Sequence, residues 1–254
     1  NNVPCYGWSI VCKGDPVIKM LIPKIKKKAY TYGIKNRSDF MAVNIKLSGW
    51  KSLFDVKRGN KILGRIKVPL TGTHNVLNVL GAVSLSLLLG VDFNKIKSSL
   101  NKFGGVSRRL EKKDEVNNIL FLDDYGHHPT EIKHTLSTIK EIFPKRRLLV
   151  IFQPHRYTRT KFQARYFPSS FREADFLWLM DVYPAGEKPI SGVNSKLILR
   201  NFKSTQKVRL VKSNQLLIKK VSSTLFPGDI LLTIGAGNVY KVGEEIIKRL
   251  KRYN

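Results

Sequence analysis

Apolar residues recur with two different rhythms along this chain, and the change falls near residues 106–109. Before it, Tyr6–Cys12 reads as a short apolar strand. Asp15-Pro16 then opens a helix, with aspartate as N-cap and proline at the first helical position. Residues 29–68 alternate apolar and polar positions around a turn signal at Arg58-Gly59-Asn60, which predicts strands joined by hairpins. A small, apolar stretch from Val76 to Leu89 has helical spacing and stops at Gly90. A second helix, Asn94–Phe103, ends at Gly104-Gly105.

Beyond the change, ILFLDD, RRLLVIFQ, DFLWLMDV, QKVRLV and DILLTIG are apolar runs too continuous for half-exposed strands. Helical patterns at 130–142, 162–174, 214–224 and 239–250 separate most of them. Strands alternating with helices predict βαβ units and a parallel sheet covered on both faces. The expected class is therefore α/β: a partial domain over residues 1–106, then a doubly wound, mostly parallel-sheet, Rossmann-like domain over residues 107–254.

Ligands of such sheets bind beyond the carboxyl ends of the strands. Polar clusters stand at four of the predicted ends: Asp123–His128, Pro154–Thr160, Tyr183–Glu187 and Gly235–Asn238. Arg156 and Arg159 offer two permanently charged forks suited to carboxylates and phosphates, with His155 beside them. Against this stands a solvated basic turn. Asp123, Asp124, His127 and His128 include metal-ligating types, but their spacing matches no closed zinc pattern and no cysteine accompanies them. Capping of the helix at Pro129-Thr130 is an alternative use for part of that cluster. Asn75 and Asn78 share a helix face and carry the donor–acceptor pattern that suits an adenine edge, although N-capping alone would explain Asn75. Gly235-Ala236-Gly237-Asn238 lacks the third glycine of a dinucleotide fingerprint.

Composition changes this picture little. The chain of 254 residues is 42% hydrophobic, enough for real cores, and carries a formal net charge of +28. The basic residues are spread along the sequence; the one dense run, Lys24 to Lys28, has no interleaved aromatic residues, so nucleic acid is not expected as a partner. No apolar run reaches the roughly 18 residues of a membrane helix, so no membrane insertion is expected. Two cysteines without metal or disulfide spacing suit a reducing cytoplasm. No signal peptide is recognisable, and the lack of an initiator methionine suggests a fragment.

The strings GTHNVLNVLGAVSL, FGGVSRRLE, FLDDYGHHPTEI, IFQPHRYTRT, ADFLWLMDVYPAGEKPI and PGDILLTIGAGN, in this order, resemble the Mur ligase family of peptidoglycan synthesis. They span nearly everything from Thr71 to Asn238. The resemblance implies a UDP-sugar domain, a central ATPase and a C-terminal dinucleotide-fold domain. Residues 1–106 would be the C-terminal part of the central ATP-binding domain, and 107–254 the C-terminal domain. Within the family the strings fit best a ligase that joins L-alanine to UDP-N-acetylmuramate, using ATP and Mg2+, through an acyl phosphate. A sibling ligase with another acceptor, or a non-catalytic basic module on the same fold, are the alternatives.

Carried over by position, the resemblance implies that Asn75 and Asn78, with His74 adjacent, contact adenine. Arg109 would reach the nucleotide phosphates and Asp124 the ribose. Tyr125, His127, His155, Arg156 and Arg159 would line the site for alanine and the muramate carboxylate, with the two histidines and two arginines taking part in catalysis. Leu110 stands where the family usually has an aromatic residue. The sequence contains no G-x-x-x-x-G-K-[ST] phosphate loop. That loop and most magnesium ligands are therefore expected ahead of Asn1, and the isolated chain is expected to be inactive.

Overall fold

A computed structural model describes residues 3–35, 37–203 and 207–252. The chain divides into two compact units, Asn1–Gly105 and Val106–Asn254.

The first unit holds a five-stranded sheet in the order β1 (Ser9–Cys12), β2 (Ala29–Gly33), β3 (Phe40–Ser48), β4 (Lys51–Arg58), β5 (Lys61–Val68). The first two pairings are parallel and the last two antiparallel. The hairpin turn between β4 and β5 contains Gly59 at φ 56°, the left-handed conformation that its sequence signal anticipates. Helix α1 (Pro16–Leu21) starts as expected, with the Asp15 carboxylate accepting the N–H groups of Val17 and Ile18. Helix α2 (Thr73–Leu88) and helix α3 (Phe93–Asn101) follow the strands. The core joins both periodicities. Phe40, Ala42, Phe54, Val56, Ile66 and Val68 alternate along three strands and meet Val76, Val79, Leu80 and Val83 of α2. Each of the larger side chains stabilises the unit by roughly 1.5–3 kcal/mol through burial.

In the second unit the strands are β6 (Glu111–Val116), β7 (Ile119–Asp124), β8 (Leu148–Phe152), β9 (Phe176–Leu179), β10 (Val208–Leu210) and β11 (Ile230–Ile234). Their order across the sheet is β10-β9-β8-β11-β7-β6, and every pairing is parallel except β6 with β7. Helices α4 (Pro129–Ile142), α5 (Tyr157–Gln163), α6 (Phe167–Ser170), α7 (Ser195–Leu199), α8 (Asn214–Ser222) and α9 (Val239–Arg252) connect and cover it. On one face Phe121, Ile151, Trp178 and Leu231 pack with Leu217 and Val221 of α8 and with Val242 and Ile246 of α9. On the other, the Phe152 ring lies 5.1 Å from Phe167 and 5.1 Å from Phe171. Burial on both faces is why β7, β8, β9 and β11 read as unbroken apolar runs, whereas β10 at the sheet edge is only partly buried, with Arg209 exposed, against the sequence expectation for QKVRLV.

Three sequence expectations change. The helix expected at 162–174 is instead α5, a 3-10 turn at Ala164–Tyr166 and α6. Pro168 cannot continue the preceding hydrogen-bond ladder and stands in the first turn of a new helix. Strand β6, with sequence EKKDEV, is unanticipated because an antiparallel edge strand needs only one covered face. The short α7 is also unanticipated.

Candidate active site

Strands β7, β11 and β8 end level with one another, Asp124 opposite Ile234 and Ile234 opposite Phe152. Backbone pairing continues one step further: Gly235 N–H donates to the Asp124 carbonyl at 3.0 Å, and Gln153 N–H to the Ile234 carbonyl at 3.1 Å. The loop after β9 joins the same edge, where Tyr183 N–H donates to Pro154 O and Arg156 N–H to Tyr183 O, each at 2.8 Å. The four polar clusters of the sequence therefore leave one edge of one sheet.

A buried polar floor supports this edge. Arg108 Nε donates to Asp123 Oδ2 at 2.8 Å, and its terminal nitrogens donate to the carbonyls of Gly237 at 3.1 Å and Gly235 at 2.6 Å. Its guanidinium carbon also lies 5.2 Å from the Tyr125 ring centroid and 4.7 Å from that of Tyr240. The other Asp123 oxygen accepts from the Thr233 hydroxyl at 2.6 Å. Asp124 is 5% exposed, and each of its oxygens accepts a backbone N–H, from Leu110 at 2.8 Å and from Gly126 at 2.7 Å. Burial pushes its carboxyl up to about 6, against the pull of those N–H groups and of Arg109. Inside this unit Asp124 thus clasps the loop before β6 to the loop after β7. Gly235 and Gly237 are demanded by packing: a Cβ on Gly237 would meet Gln153 Oε1 and come within 2.7 Å of Tyr183 Cγ, and one on Gly235 would sit 2.7 Å from the Gln153 carbonyl. That contact explains the glycines without a phosphate.

The first turn of α4 is a capping box. His128 Nδ1 accepts the Thr130 N–H at 3.2 Å, and Glu131 accepts the N–H groups of His127 at 3.0 Å and His128 at 3.1 Å. Burial works against ionisation of Glu131, yet these two N–H groups hold its carboxyl below the usual range. His128 is thereby spent on helix initiation, and His127 is pinned beside it.

Above the floor, side chains from separate loops meet. The Tyr125 ring stands edge-on to His127 at 5.7 Å, and the His127 ring lies 5.6 Å from His155. His155 stacks on Tyr183 at 5.7 Å and 15°, and Arg159 Nη1 lies 3.2 Å from its Nδ1. Arg109 places its guanidinium carbon 5.6 Å from the Tyr125 centroid. Arg156, exposed at the start of α5, has φ 68°, a conformation unusual for a residue with a side chain. Its backbone is fixed by Tyr183 on one side and by Thr160 on the other, whose N–H and hydroxyl donate to its carbonyl. Glu187 accepts the Thr158 N–H at 3.0 Å and hydroxyl at 2.6 Å, tying the third loop to α5. The structure thus brings Arg109, Tyr125, His127, His155 and Arg159 into one chain of contacts, with Arg156 at its rim. Tyr183 completes the cluster; the sequence placed it in a polar strand-end loop but assigned it no role.

In the first unit, His74, Asn75 and Asn78 lie on the opening turns of α2. Gly72 is the N-cap, so the capping explanation of Asn75 is set aside. Asn75 Nδ2 donates to the Thr71 carbonyl at 2.8 Å, and Asn78 Nδ2 to Asn75 Oδ1 at 3.4 Å, which aligns the two amides on one face. A cavity of about 360 Å³ in this unit, lined by Val3, Ile18, Leu21 and Lys24 among others, includes none of the candidate residues. Among the described residues no group of three or more His, Cys, Asp or Glu side chains could hold a metal ion. None of their helices is long and apolar enough to cross a membrane.

A doubly wound, mostly parallel sheet with cationic and imidazole side chains at its carboxyl edge defines an α/β architecture, one in which ligands bind at that edge. Residues 108–237 match the family description "Mur ligase, glutamate ligase domain", and residues 1–86 match "Mur ligase middle domain". The chain belongs to the Mur ligase family. It is 45% identical over 247 residues to the UDP-N-acetylmuramate–L-alanine ligase of Endomicrobium trichonymphae, covering 97% of this chain and 54% of that protein. It is 42% identical over 253 residues to the enzyme of the same name from Geobacter sp. strain M21, covering 99% and 55%. The solved UDP-N-acetylmuramate–alanine ligase MurC of Thermotoga maritima matches with a TM-score of 0.76 at 27% identity, over 96% of this chain and 52% of that one. The chain spans about half the length of the curated relatives it matches.

Proposed function

We propose that the chain supplies part of the active site of an ATP-dependent ligase that joins L-alanine to the carboxylate of UDP-N-acetylmuramate. The supporting observation is the meeting of Tyr125, His127, His155 and Arg159, with Arg156 at the rim, at the carboxyl edge of the second sheet. The names of the relatives supply the substrates. In this reading ATP phosphorylates the muramate carboxylate. The alanine amine then forms a C–N bond to the acyl carbon, and the C–O bond to phosphate breaks.

Such chemistry depends on placement and charge neutralisation more than on covalent help from the protein. Arg156 and Arg159 hold carboxylate oxygens through paired N–H donors and offset negative charge as phosphate leaves. Taken unit by unit, Arg109, exposed beside Tyr125, is suited to nucleotide phosphates in the second, and the Asn75–Asn78 amide face is suited to an adenine edge in the first. Asp124 is the candidate for the ribose hydroxyls: each of its oxygens accepts one backbone N–H, from Leu110 and Gly126, and has a second lone pair. Mg2+ accompanies the nucleotide in this reading and neutralises phosphate charge. The described side chains offer no convergent set of ligands for it, so no step here is routed through it. The two-domain assignment, residues 1–106 as part of the ATP-binding domain and 107–254 as the C-terminal domain, belongs to the same proposal.

A chimaera carrying this chain in place of the matching part of the Endomicrobium trichonymphae relative tests the proposal. Phosphate release from ATP should require both UDP-N-acetylmuramate and L-alanine. A folded chimaera that binds ATP but ignores L-alanine, or prefers another amino acid, refutes it.

A further inference from the structure

The ring nitrogens of His127 and His155 have partners of opposite character. His127 Nδ1 lies 3.1 Å from the Tyr125 carbonyl oxygen, and a carbonyl can only accept. His155 Nδ1 lies 3.2 Å from Arg159 Nη1, and a guanidinium can only donate. His127 therefore carries its proton on Nδ1 and leaves a lone pair on Nε2. His155 must keep a lone pair on Nδ1 and, when neutral, carry its proton on Nε2. Among the described residues each ring's hydrogen bond engages Nδ1, which leaves Nε2 as the nitrogen to offer a ligand.

From this geometry we infer that the two imidazoles form an unlike pair, with His127 presenting a proton acceptor at Nε2 and His155 a neutral N–H donor at Nε2. Ring centroids 5.6 Å apart set the two imidazoles side by side at the same sheet edge. This assigns distinct roles at a site that the ligase reading otherwise treats as one cluster, and the roles, though not the tautomers, rest on that reading. His127 is the group that can take a proton from the alanine nitrogen as the C–N bond forms. His155 donates a hydrogen bond to an acyl or carboxylate oxygen and does not change protonation. The positive charge at this end of the site then belongs to the arginines alone.

The surroundings favour the neutral form of both rings. Burial is the main influence on His155; the charge that His127 gains on protonation, then Arg159 and Arg156, add to it against the opposing Glu187, pushing the ring down to about 4. Tyr183 covers its face. Burial also pushes His127 below the usual imidazole range, helped by Arg159 and Arg109 and opposed by the Tyr125 carbonyl and Glu131.

Nitrogen-15 NMR of the 254-residue chain tests the assignment, since a protonated and an unprotonated ring nitrogen have well-separated shifts. Signals are assigned by comparison with the His127→Gln and His155→Gln chains. His127 should show a protonated Nδ1 and bare Nε2, His155 the reverse, and His155 should stay neutral at about pH 5, where an ordinary histidine is mostly charged. In Arg159→Leu, His155 should lose its single tautomer and its midpoint should rise, while His127 keeps its own. The same tautomer on both rings, a cationic ring at neutral pH, or a His155 spectrum unchanged by Arg159→Leu would overturn the inference. Because no substrate is present, these results stand or fall separately from the ligase activity.

Discussion

Replacing Arg108 with methionine should cost the second unit about 3–5 kcal/mol, the usual loss when one partner of a buried ion pair is removed. The structure supplies the reasons. The Arg108 and Asp123 side chains are 20% and 1% exposed, with Nε and Oδ2 at 2.8 Å. Without the guanidinium, Asp123 keeps the Thr233 hydroxyl but loses its ion-pair partner, and the Gly235 and Gly237 carbonyls lose the Arg108 donors. A lysine cannot reproduce three divergent N–H bonds, so Arg108→Lys should recover less than half of the loss. The assay is urea unfolding followed by Trp178 fluorescence in a Trp8→Phe, Trp50→Phe background, which leaves the second unit as the only reporter. Combining Arg108→Met with Asp123→Asn should cost well under the sum of the two changes, because no uncompensated charge remains. A loss below about 1 kcal/mol, or strict additivity, would show that this floor does not hold the sheet edge together.

Asp124 makes stability depend on pH in an unusual direction. Its carboxyl is raised from 3.8 to about 6 in the folded state, so the folded chain binds more protons than the unfolded chain between those values. Its contribution is present below pH 3.8 and is lost as pH rises through about 6, by some 2–3 kcal/mol. Asp124→Asn should remove that slope in denaturation curves taken at several pH values; an unchanged slope contradicts the assignment. Gly237→Ala should destabilise the second unit by roughly 1–3 kcal/mol, as overpacking does, because its Cβ meets Gln153 and Tyr183. An unaltered denaturation midpoint would show that the loop yields freely. The purified chain alone should not hydrolyse ATP, since its sequence has no phosphate loop to cradle the transferred group. Phosphate release abolished by Arg109→Ala, with contamination thereby excluded, would overturn this.

The parallel sheet was legible because its strands are buried on both faces and so lack alternation, and the strand-end clusters stood out against them. What escaped the sequence were features decided by tertiary partners. β6 is charged because it lies at an antiparallel edge, and Pro168 divides a helical pattern that its neighbours share. Candidate site residues could be chosen from their chemistry and position, but their division of labour could not. Arg108 and Arg109 are adjacent and identical, yet one is half-buried and bonded to Asp123, Gly235 and Gly237 while the other is exposed. Asp124 could be chosen as a ligand-binding candidate, but only the structure shows that it also accepts a backbone N–H on each oxygen. Tyr183 matters through a stacking contact with a residue 28 positions earlier, which no local pattern encodes.

The central claim is that the edge formed by β7, β8 and β9 binds the amino acid, and steady-state kinetics of Arg156→Lys and Arg159→Lys in the active chimaera test it most directly. Each change keeps the charge but loses the planar fork, at roughly 1.5–3 kcal/mol for a charged hydrogen bond. The account predicts an increase of about tenfold or more in the KM for L-alanine, or an equivalent fall in kcat. The KM for ATP should stay within about twofold, a change worth only some 0.4 kcal/mol. Unchanged kinetics for both L-alanine and UDP-N-acetylmuramate would contradict the account and return this loop to an ordinary solvated turn.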